Sequence, residues 1–131
     1  MKYNKTVLII SDGSFETAIM AERIAEALKG NKVSVKSAFD FKGNDILPAE
    51  VIFLGCGKPK PDSFSYISDL FKHINLAGRP CGIFTPGTVK TAKYLAGLVK
   101  DCDAALNPEP LISGSAVNVK RWAGKVVSGS F

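Results

Sequence analysis

Continuously apolar segments along the chain indicate strands that are buried on both faces of a sheet. Three such segments occur, at residues 6–10, 51–55 and 81–85. Residues 33–36 alternate instead between valine and polar side chains, which predicts a half-exposed strand near a sheet edge. Residues 104–106 form a weaker fifth strand candidate, and Pro108 and Pro110 predict that a loop follows it.

Apolar residues spaced three and four apart predict amphipathic helices after four of these five strands. We expect Gly30 and Asn31 to end the first helix, and Asp62 or Ser63 to cap the second. Trp122 lies on the apolar face of the last helix, which predicts a core position. The four apolar faces consist of Thr17, Ala21, Ile24, Ala25 and Leu28; Phe64, Ile67, Leu70, Phe71 and Ile74; Val89, Ala92, Leu95, Ala96 and Val99; and Val119, Trp122, Ala123 and Val126.

The alternation of strands and helices is typical of a parallel sheet covered by helices on both faces. We therefore expect an α/β fold, a three-layer, doubly wound, five-stranded parallel sheet, in one domain that spans residues 1–131. The most apolar strands belong in the centre, which gives the strand order 2-1-3-4-5. Strands 1 and 3 are then neighbours with connections in opposite directions, so a ligand site is expected beyond their carboxyl ends. Three loops line this crevice, at residues 11–17, 56–63 and 85–88.

The composition fits a single folded domain. Apolar residues make up 46% and charged residues 22% of the 131 residues, and no apolar run approaches the roughly 20 residues needed to cross a bilayer. Residues 1–6 lead into the first strand without a small-residue cleavage site, so we expect no secretory signal and a cytoplasmic protein. The three cysteines lack CxxC spacing, which disfavours a disulfide scaffold or a zinc site. A single histidine, His73, leaves Ser-His-Asp triads and histidine metal sites incomplete.

Basic residues exceed acidic residues, which gives a formal net charge of +5. The lysines and arginines are scattered, with no run of five or more, as is typical of a solvated surface. We therefore expect no nucleic-acid partner. Because complementary charge speeds encounter, an acidic protein is the partner that this surface favours.

The first loop joins a buried strand to the start of a helix and reads Ser11-Asp12-Gly13-Ser14-Phe15-Glu16-Thr17. Free amide groups and the helix dipole at such a junction favour an anion, to which hydroxyls of Ser11, Ser14 and Thr17 are able to donate hydrogen bonds. In the alternative interpretation, Ser14 only caps the helix and Gly13 relieves a tight turn. The loop matches neither GxxxxGK[ST] nor GxGxxG, which disfavours P-loop and Rossmann nucleotide sites.

Several segments resemble flavodoxins, in the same order along the chain. The first strand, first loop and first helix are similar to the opening of that family, and residues 51–55 resemble its third strand. Residues 74–84 resemble the entry to its fourth strand, and residues 111–114 and 119–123 are similar to its closing strand and its Trp-Ala helix. The resemblance implies a flavodoxin-like fold, bound FMN, and electron transfer between redox partner proteins.

Under this resemblance FMN is the expected cofactor, and it carries the chemistry in place of catalytic side chains. The backbone of residues 12–17, with the Ser14 and Thr17 hydroxyls, would hold the phosphate. Residues 57–59 and 85–88 would form the walls of the flavin ring site. The expected cofactor contacts are Ser11, Asp12, Gly13, Ser14, Phe15, Glu16, Thr17, Gly57, Lys58, Pro59, Thr85, Pro86, Gly87 and Thr88.

The first loop also departs from the flavodoxin pattern. The phosphate loop of flavodoxins has the pattern hydroxyl-x-hydroxyl-Gly-Asn-hydroxyl, which aligns with residues 12–17 here. Only Ser14 and Thr17 keep their hydroxyls in this alignment. Phe15 stands in place of a glycine, and Glu16 brings a carboxylate toward the phosphate. Two alternatives therefore stay open: a flavodoxin-like domain that has lost FMN and acts as a protein-interaction or regulatory module, and a small flavin-dependent oxidoreductase that acts on a nicotinamide or a quinone.

The two ring-binding loops contain no aromatic residue of their own. Phe64 continues an apolar helix face and is expected in the core, which leaves Tyr66 as the better candidate for stacking on a flavin. Tyr94 is interpreted as a surface or packing residue. Cys56 is interpreted as a small apolar strand-end residue, because neither a base nor a Cys-x5-Arg phosphate loop accompanies it.

Overall fold

The computed structural model describes residues 4–131, in which helices cover both faces of one parallel sheet. The expectation of no secretory signal rests partly on residues 1–3, which lie outside the described residues. No helix in residues 4–131 has the length and apolar content to cross a membrane. The elements are β1 Thr6–Ser11, α1 Phe15–Ala27, β2 Lys32–Ser37, β3 Val51–Gly55, α2 Ser65–Phe71, β4 Pro80–Thr85, α3 Val89–Asp101, β5 Ala105–Leu106, β6 Leu111–Ile112 and α4 Val119–Ser128, with 3₁₀ turns at Gly43–Ile46 and Asp62–Phe64.

The sheet has the order β2-β1-β3-β4-β5, and every pair in it is parallel. The predicted order 2-1-3-4-5 is therefore confirmed. The register places Ile10 between Lys36 of β2 and Leu54 of β3. The break in connection direction between β1 and β3 therefore lies where the sequence places it, beside the carboxyl ends of these strands.

The far edge of the sheet consists of two short strands instead of the expected one. β5 pairs with Pro80 and Cys81 at the start of β4, and β6 pairs with Phe84 and Thr85 at its end. The loop expected after β5 is present, and β6 lies within residues 111–114, the segment that resembles the closing strand of flavodoxins. Proline has no N–H to donate to a strand ladder, so pairing resumes only after Pro110.

Successive residues of β1 face two different cores, as a period of two requires. Val7 and Ile9 face α1 and α4, whereas Leu8 and Ile10 face α2 and α3. The first core also contains Met20, Ile24, Phe53, Phe84, Trp122 and Val126, and the second contains Leu54, Phe64, Ile67, Phe71, Leu95 and Val99. This arrangement confirms the three-layer architecture and the core positions predicted for Phe64 and Trp122.

The ends of two helices differ from the sequence-based expectations. α1 ends at Ala27, and the chain reverses through Gly30, whose φ is 100°. The cap predicted for α2 is wrong, since residues 62–64 form a 3₁₀ turn and the helix begins at Ser65 without a side-chain cap. The Ser63 hydroxyl is engaged elsewhere, because it donates to the Asp12 carbonyl oxygen at 3.0 Å.

Candidate functional site

Three loops meet where β1, β3 and β4 end at one edge of the sheet. The Gly57 N–H donates to Asp12 Oδ2 at 2.9 Å, which joins the first loop to the loop after β3. A Cβ added to Gly87 would lie 2.5 Å from the Gly57 carbonyl oxygen, so the loop after β4 touches the loop after β3. The three loops predicted to line a crevice thus contact one another at this edge.

The Asp12 carboxylate is the centre of the first loop. Its Oδ1 accepts hydrogen bonds from the Ser14 N–H at 3.0 Å and from the Ser14 hydroxyl at 2.7 Å, and its Oδ2 accepts the Gly57 N–H. The residue is only 9% exposed. Three donors therefore converge on one buried carboxylate, in the charge-assisted form that gives short, strong hydrogen bonds.

The local sequence explains why Asp12 turns inward. An aspartate commonly bonds to the backbone two residues further on, as Asp12 does here to Ser14. Gly13 has φ 87°, a left-handed conformation that a side chain disfavours, and a Cβ there would lie 2.8 Å from the Phe39 ring. Gly13 is therefore the residue of this loop that needs the conformational freedom of glycine. Phe15, which stands in place of a glycine in the flavodoxin pattern, is an ordinary first residue of α1.

The predicted hydroxyl donors take different positions. Ser14 Oγ lies 2.8 Å from Thr17 Oγ1, and Thr17 is fully buried. Ser14 is the N-cap residue of α1, but its side chain makes no bond to the first-turn amides, so the capping interpretation holds for its backbone alone. Ser11 is the buried last residue of β1, and both Phe15 and Glu16 are exposed.

The loops predicted as walls of a ring site contact each other directly. The Thr85 hydroxyl oxygen accepts the Gly87 N–H at 2.9 Å, which holds Gly87 against Gly57. Lys58 and Thr88 are exposed, whereas Pro59 and Pro86 are partly buried. Between Gly57 and Gly87 there is consequently no gap for an aromatic ring.

The aromatic side chains near these loops have other contacts. The Tyr66 ring lies 6.0 Å from Phe41, and its hydroxyl accepts the Gly43 N–H at 2.9 Å. These contacts belong to residues 41–43 instead of the loops expected to hold a ring. Tyr94 is partly buried beside Phe64, and burial raises its pKa to about 12.

Solved structures share this architecture at low sequence identity. A short-chain flavodoxin associated with a bacterial microcompartment has a TM-score of 0.81 and 12% identity, over 98% of this chain and 100% of that one. Oxidised flavodoxin 2 from Bacillus cereus has a TM-score of 0.77 and 16% identity, over 96% and 99%. A Fusobacterium nucleatum flavodoxin bound to flavin mononucleotide has a TM-score of 0.70 and 12% identity, over 95% and 96%. This chain has the flavodoxin fold. No protein-family model and no curated protein matches its sequence.

The fold places the first loop where its dipole and amides suit an anion, but an FMN phosphate fits poorly beside Asp12, which occupies two of the donors expected to hold it, the Ser14 N–H and the Ser14 hydroxyl. A phosphate brings only acceptors, and the Ser14 N–H, the Ser14 hydroxyl and the Gly57 N–H already donate to Asp12. The buried carboxylate also repels a second anion at the same place. The bend therefore holds a buried carboxylate beside the helix start, where the fold favours an anion.

Asp12 and Ser63 are the residues whose roles sequence reasoning missed. Asp12 was expected to contribute only its backbone, although the Asp-x-Ser pattern is a signal for a side-chain turn. The bond from Ser63 to Asp12 has no local signal, since it spans 51 positions. Among residues 4–131 no cluster of metal-ligating side chains is present.

Cys56 follows β3 directly beside this cluster and is fully buried. Burial, and after it the neighbouring Asp12 carboxylate, raises the thiol pKa from 9.0 to about 12, although backbone hydrogen bonding at Lys58 opposes the shift. The thiol is therefore protonated at neutral pH. This agrees with its interpretation as an apolar strand-end residue.

We expect Cys56 to react about a thousandfold more slowly with iodoacetamide in the folded protein than in urea at pH 8, because its thiolate fraction falls from about one in ten to about one in ten thousand. Mass spectrometry of the alkylated peptides measures the two rates. The Cys81 peptide is an internal control, since that thiol is also buried with a raised pKa. Native labelling of Cys56 within tenfold of the unfolded rate would contradict the protonated, buried thiol.

Proposed function

We propose that this protein is a flavodoxin-fold module that acts through protein contacts and does not hold FMN at its first loop. The observation that carries the proposal is the buried Asp12 carboxylate, which accepts the Ser14 N–H and the Ser14 hydroxyl, two donors that a phosphate at this loop would need, and the Gly57 N–H. The contact between Gly57 and Gly87 supports it, since these residues would have to separate to admit a ring.

The surface around the same edge has the composition of a protein-binding site. Phe15 is 79% exposed and follows the Asp12 loop, and Phe39, 76% exposed, packs over Gly13. Exposed aromatic side chains are enriched in protein interfaces. Lys58 and Lys60 are exposed on the neighbouring loop and the chain carries a net charge of +5, so an acidic partner is the best match.

An FMN-dependent electron carrier is the second candidate. The flavodoxin fold favours it, as does the position of Ser14 and Thr17 at the start of α1 on the switch-point edge of the sheet. In this candidate an acidic redox partner would dock on the same lysine-bearing edge. It requires the Ser14 N–H and the Ser14 hydroxyl to leave the Asp12 carboxylate before they bind the phosphate.

An FMN titration separates the two candidates. We expect natively purified protein to elute colourless from a desalting column and to leave the fluorescence of added FMN unquenched at protein concentrations up to about 100 μM. Riboflavin is the matched control, because it has the ring without the phosphate. Flavin absorption bands that stay with the protein through desalting would overturn the module and establish the second candidate.

A further inference from the structure

We infer that the Asp12 carboxylate is a built-in substitute for a bound phosphate, so that replacing this one side chain turns the first loop into an anion-binding site. The inference rests on the proposed function and deepens it by assigning the exclusion of phosphate to a single residue. Asp12 is 9% exposed, and its carboxylate accepts hydrogen bonds from the Ser14 N–H, the Ser14 hydroxyl and the Gly57 N–H.

The donors around Asp12 would survive its replacement. The Ser14 N–H and hydroxyl and the Gly57 N–H are fixed by α1 and by the end of β3 rather than by the carboxylate alone. Thr17 Oγ1 and Ser14 Oγ lie 3.7 and 3.8 Å from the position of a Cβ on Gly57, so both hydroxyls line the same small space. Without Asp12 these groups lose their protein acceptor, and a phosphate oxygen would supply a charged acceptor in its place.

The carboxylate also ties two loops together. Its bond to the Gly57 N–H joins residues that lie 45 positions apart. A second tie, from the Ser63 hydroxyl to the Asp12 carbonyl oxygen, uses the main chain of residue 12 and is kept when the side chain changes. A variant should therefore fold but be less stable, and a free phosphate should restore the lost tie.

The charges at this edge favour the binding of a phosphate in place of the Asp12 carboxylate. Lys58 and Lys60 are exposed on the loop that supplies Gly57, and the first turn of α1 directs its dipole toward the anion position. Glu16 opposes an anion but is exposed, so its charge is screened by solvent. Asp12 is the one acidic residue among the described residues of the first loop that is buried.

The test compares the thermal unfolding of the wild type, Asp12→Ser and Asp12→Asn in about 50 mM phosphate and in chloride of equal ionic strength. Asp62→Asn is the matched control, since it removes the same charge from an exposed site at the same edge. We expect Asp12→Ser to melt about 4 °C or more below the wild type in chloride and to recover in phosphate. Asp12→Asn keeps an amide oxygen that accepts from Ser14 and fills the same space, so it should lose less stability and recover less than Asp12→Ser, though more than the wild type. The wild type and Asp62→Asn should respond equally little to phosphate. Calorimetry should show phosphate affinity at least tenfold higher in Asp12→Ser than in the wild type.

Other results discriminate between the inference and the proposed function. Folded Asp12 variants whose melting temperature responds to phosphate no more than that of the wild type would overturn the role assigned to Asp12. If the wild type is nevertheless colourless and free of FMN, the proposed function as a protein-contact module still stands. Wild type that binds FMN would overturn the module, and the inference would then survive only if Asp12→Ser bound FMN at least tenfold more tightly. If neither variant folds in chloride, refolding in phosphate supports the inference and failure to refold there overturns it.

Discussion

Replacing Trp122 by alanine is expected to lower the free energy of unfolding by about 3–5 kcal/mol. The indole is 1% exposed, lies 5.5 Å from the Phe53 ring, and packs over Gly82 of β4, where an added Cβ would be 3.1 Å from it. Its Nε1–H donates to the Glu109 carbonyl oxygen at 2.7 Å. The substitution therefore leaves a cavity between α4 and the sheet and an unpaired carbonyl in the segment that separates β5 from β6. Urea denaturation measures the change.

Trp122→Phe is the matched control for the cavity. It keeps an aromatic ring against Phe53 but loses the Nε1–H bond, so we expect a smaller loss of about 1–2 kcal/mol. An alanine variant within about 1 kcal/mol of the wild type would show that α4 is not a necessary part of the core.

Gly55→Ala is expected to destabilise the protein by about 1–3 kcal/mol through overpacking. A Cβ at Gly55 would lie 2.3 Å from the Phe84 ring, and Phe84 is fully buried between the sheet and α4. The ring cannot swing into solvent, so the last residue of β3 has to move, and with it the loop that carries Gly57. Thermal and urea unfolding measure the loss of stability.

Gly97→Ala is the control for Gly55→Ala. Gly97 lies in α3 with nothing within 4 Å of an added Cβ, and its surface position is exposed. Alanine favours a helix over glycine by about 0.8–1.0 kcal/mol, so this variant should be as stable as the wild type or more stable. Equal losses in the two variants would refute the steric explanation at Gly55.

The central strands could be predicted to within one residue at their ends, because burial on both faces gives a continuous apolar run. β3 has the bounds expected from its sequence, and β1 extends by one residue to Ser11. The two residues of β6 carry no periodicity, and only the resemblance of residues 111–114 to the closing strand of flavodoxins indicated a strand there. The start of α2 was misplaced because the fate of the Ser63 hydroxyl depends on Asp12, which is distant in sequence.

The position of the site in the fold could be predicted from the sequence, but the role of its Asp12 side chain could not. Strand order alone places the three loops together, since the carboxyl ends of parallel strands share an edge. The role of Asp12 depends on Gly57, 45 positions away, which no local pattern encodes. The departure of Glu16 and Phe15 from the flavodoxin pattern pointed to the right loop, but both side chains are exposed and the deciding carboxylate is Asp12.

The two margins of the sheet should make the protein resistant to aggregation by strand addition. An incoming chain needs a long, flat row of free backbone groups to pair with. At one margin, β5 and β6 offer two residues each, separated by a segment with two prolines. At the other, β2 carries Lys32 and Lys36, and stacking a second copy there would bring like charges together. We expect concentrated solutions to stay free of fibrils as long as the sheet is folded.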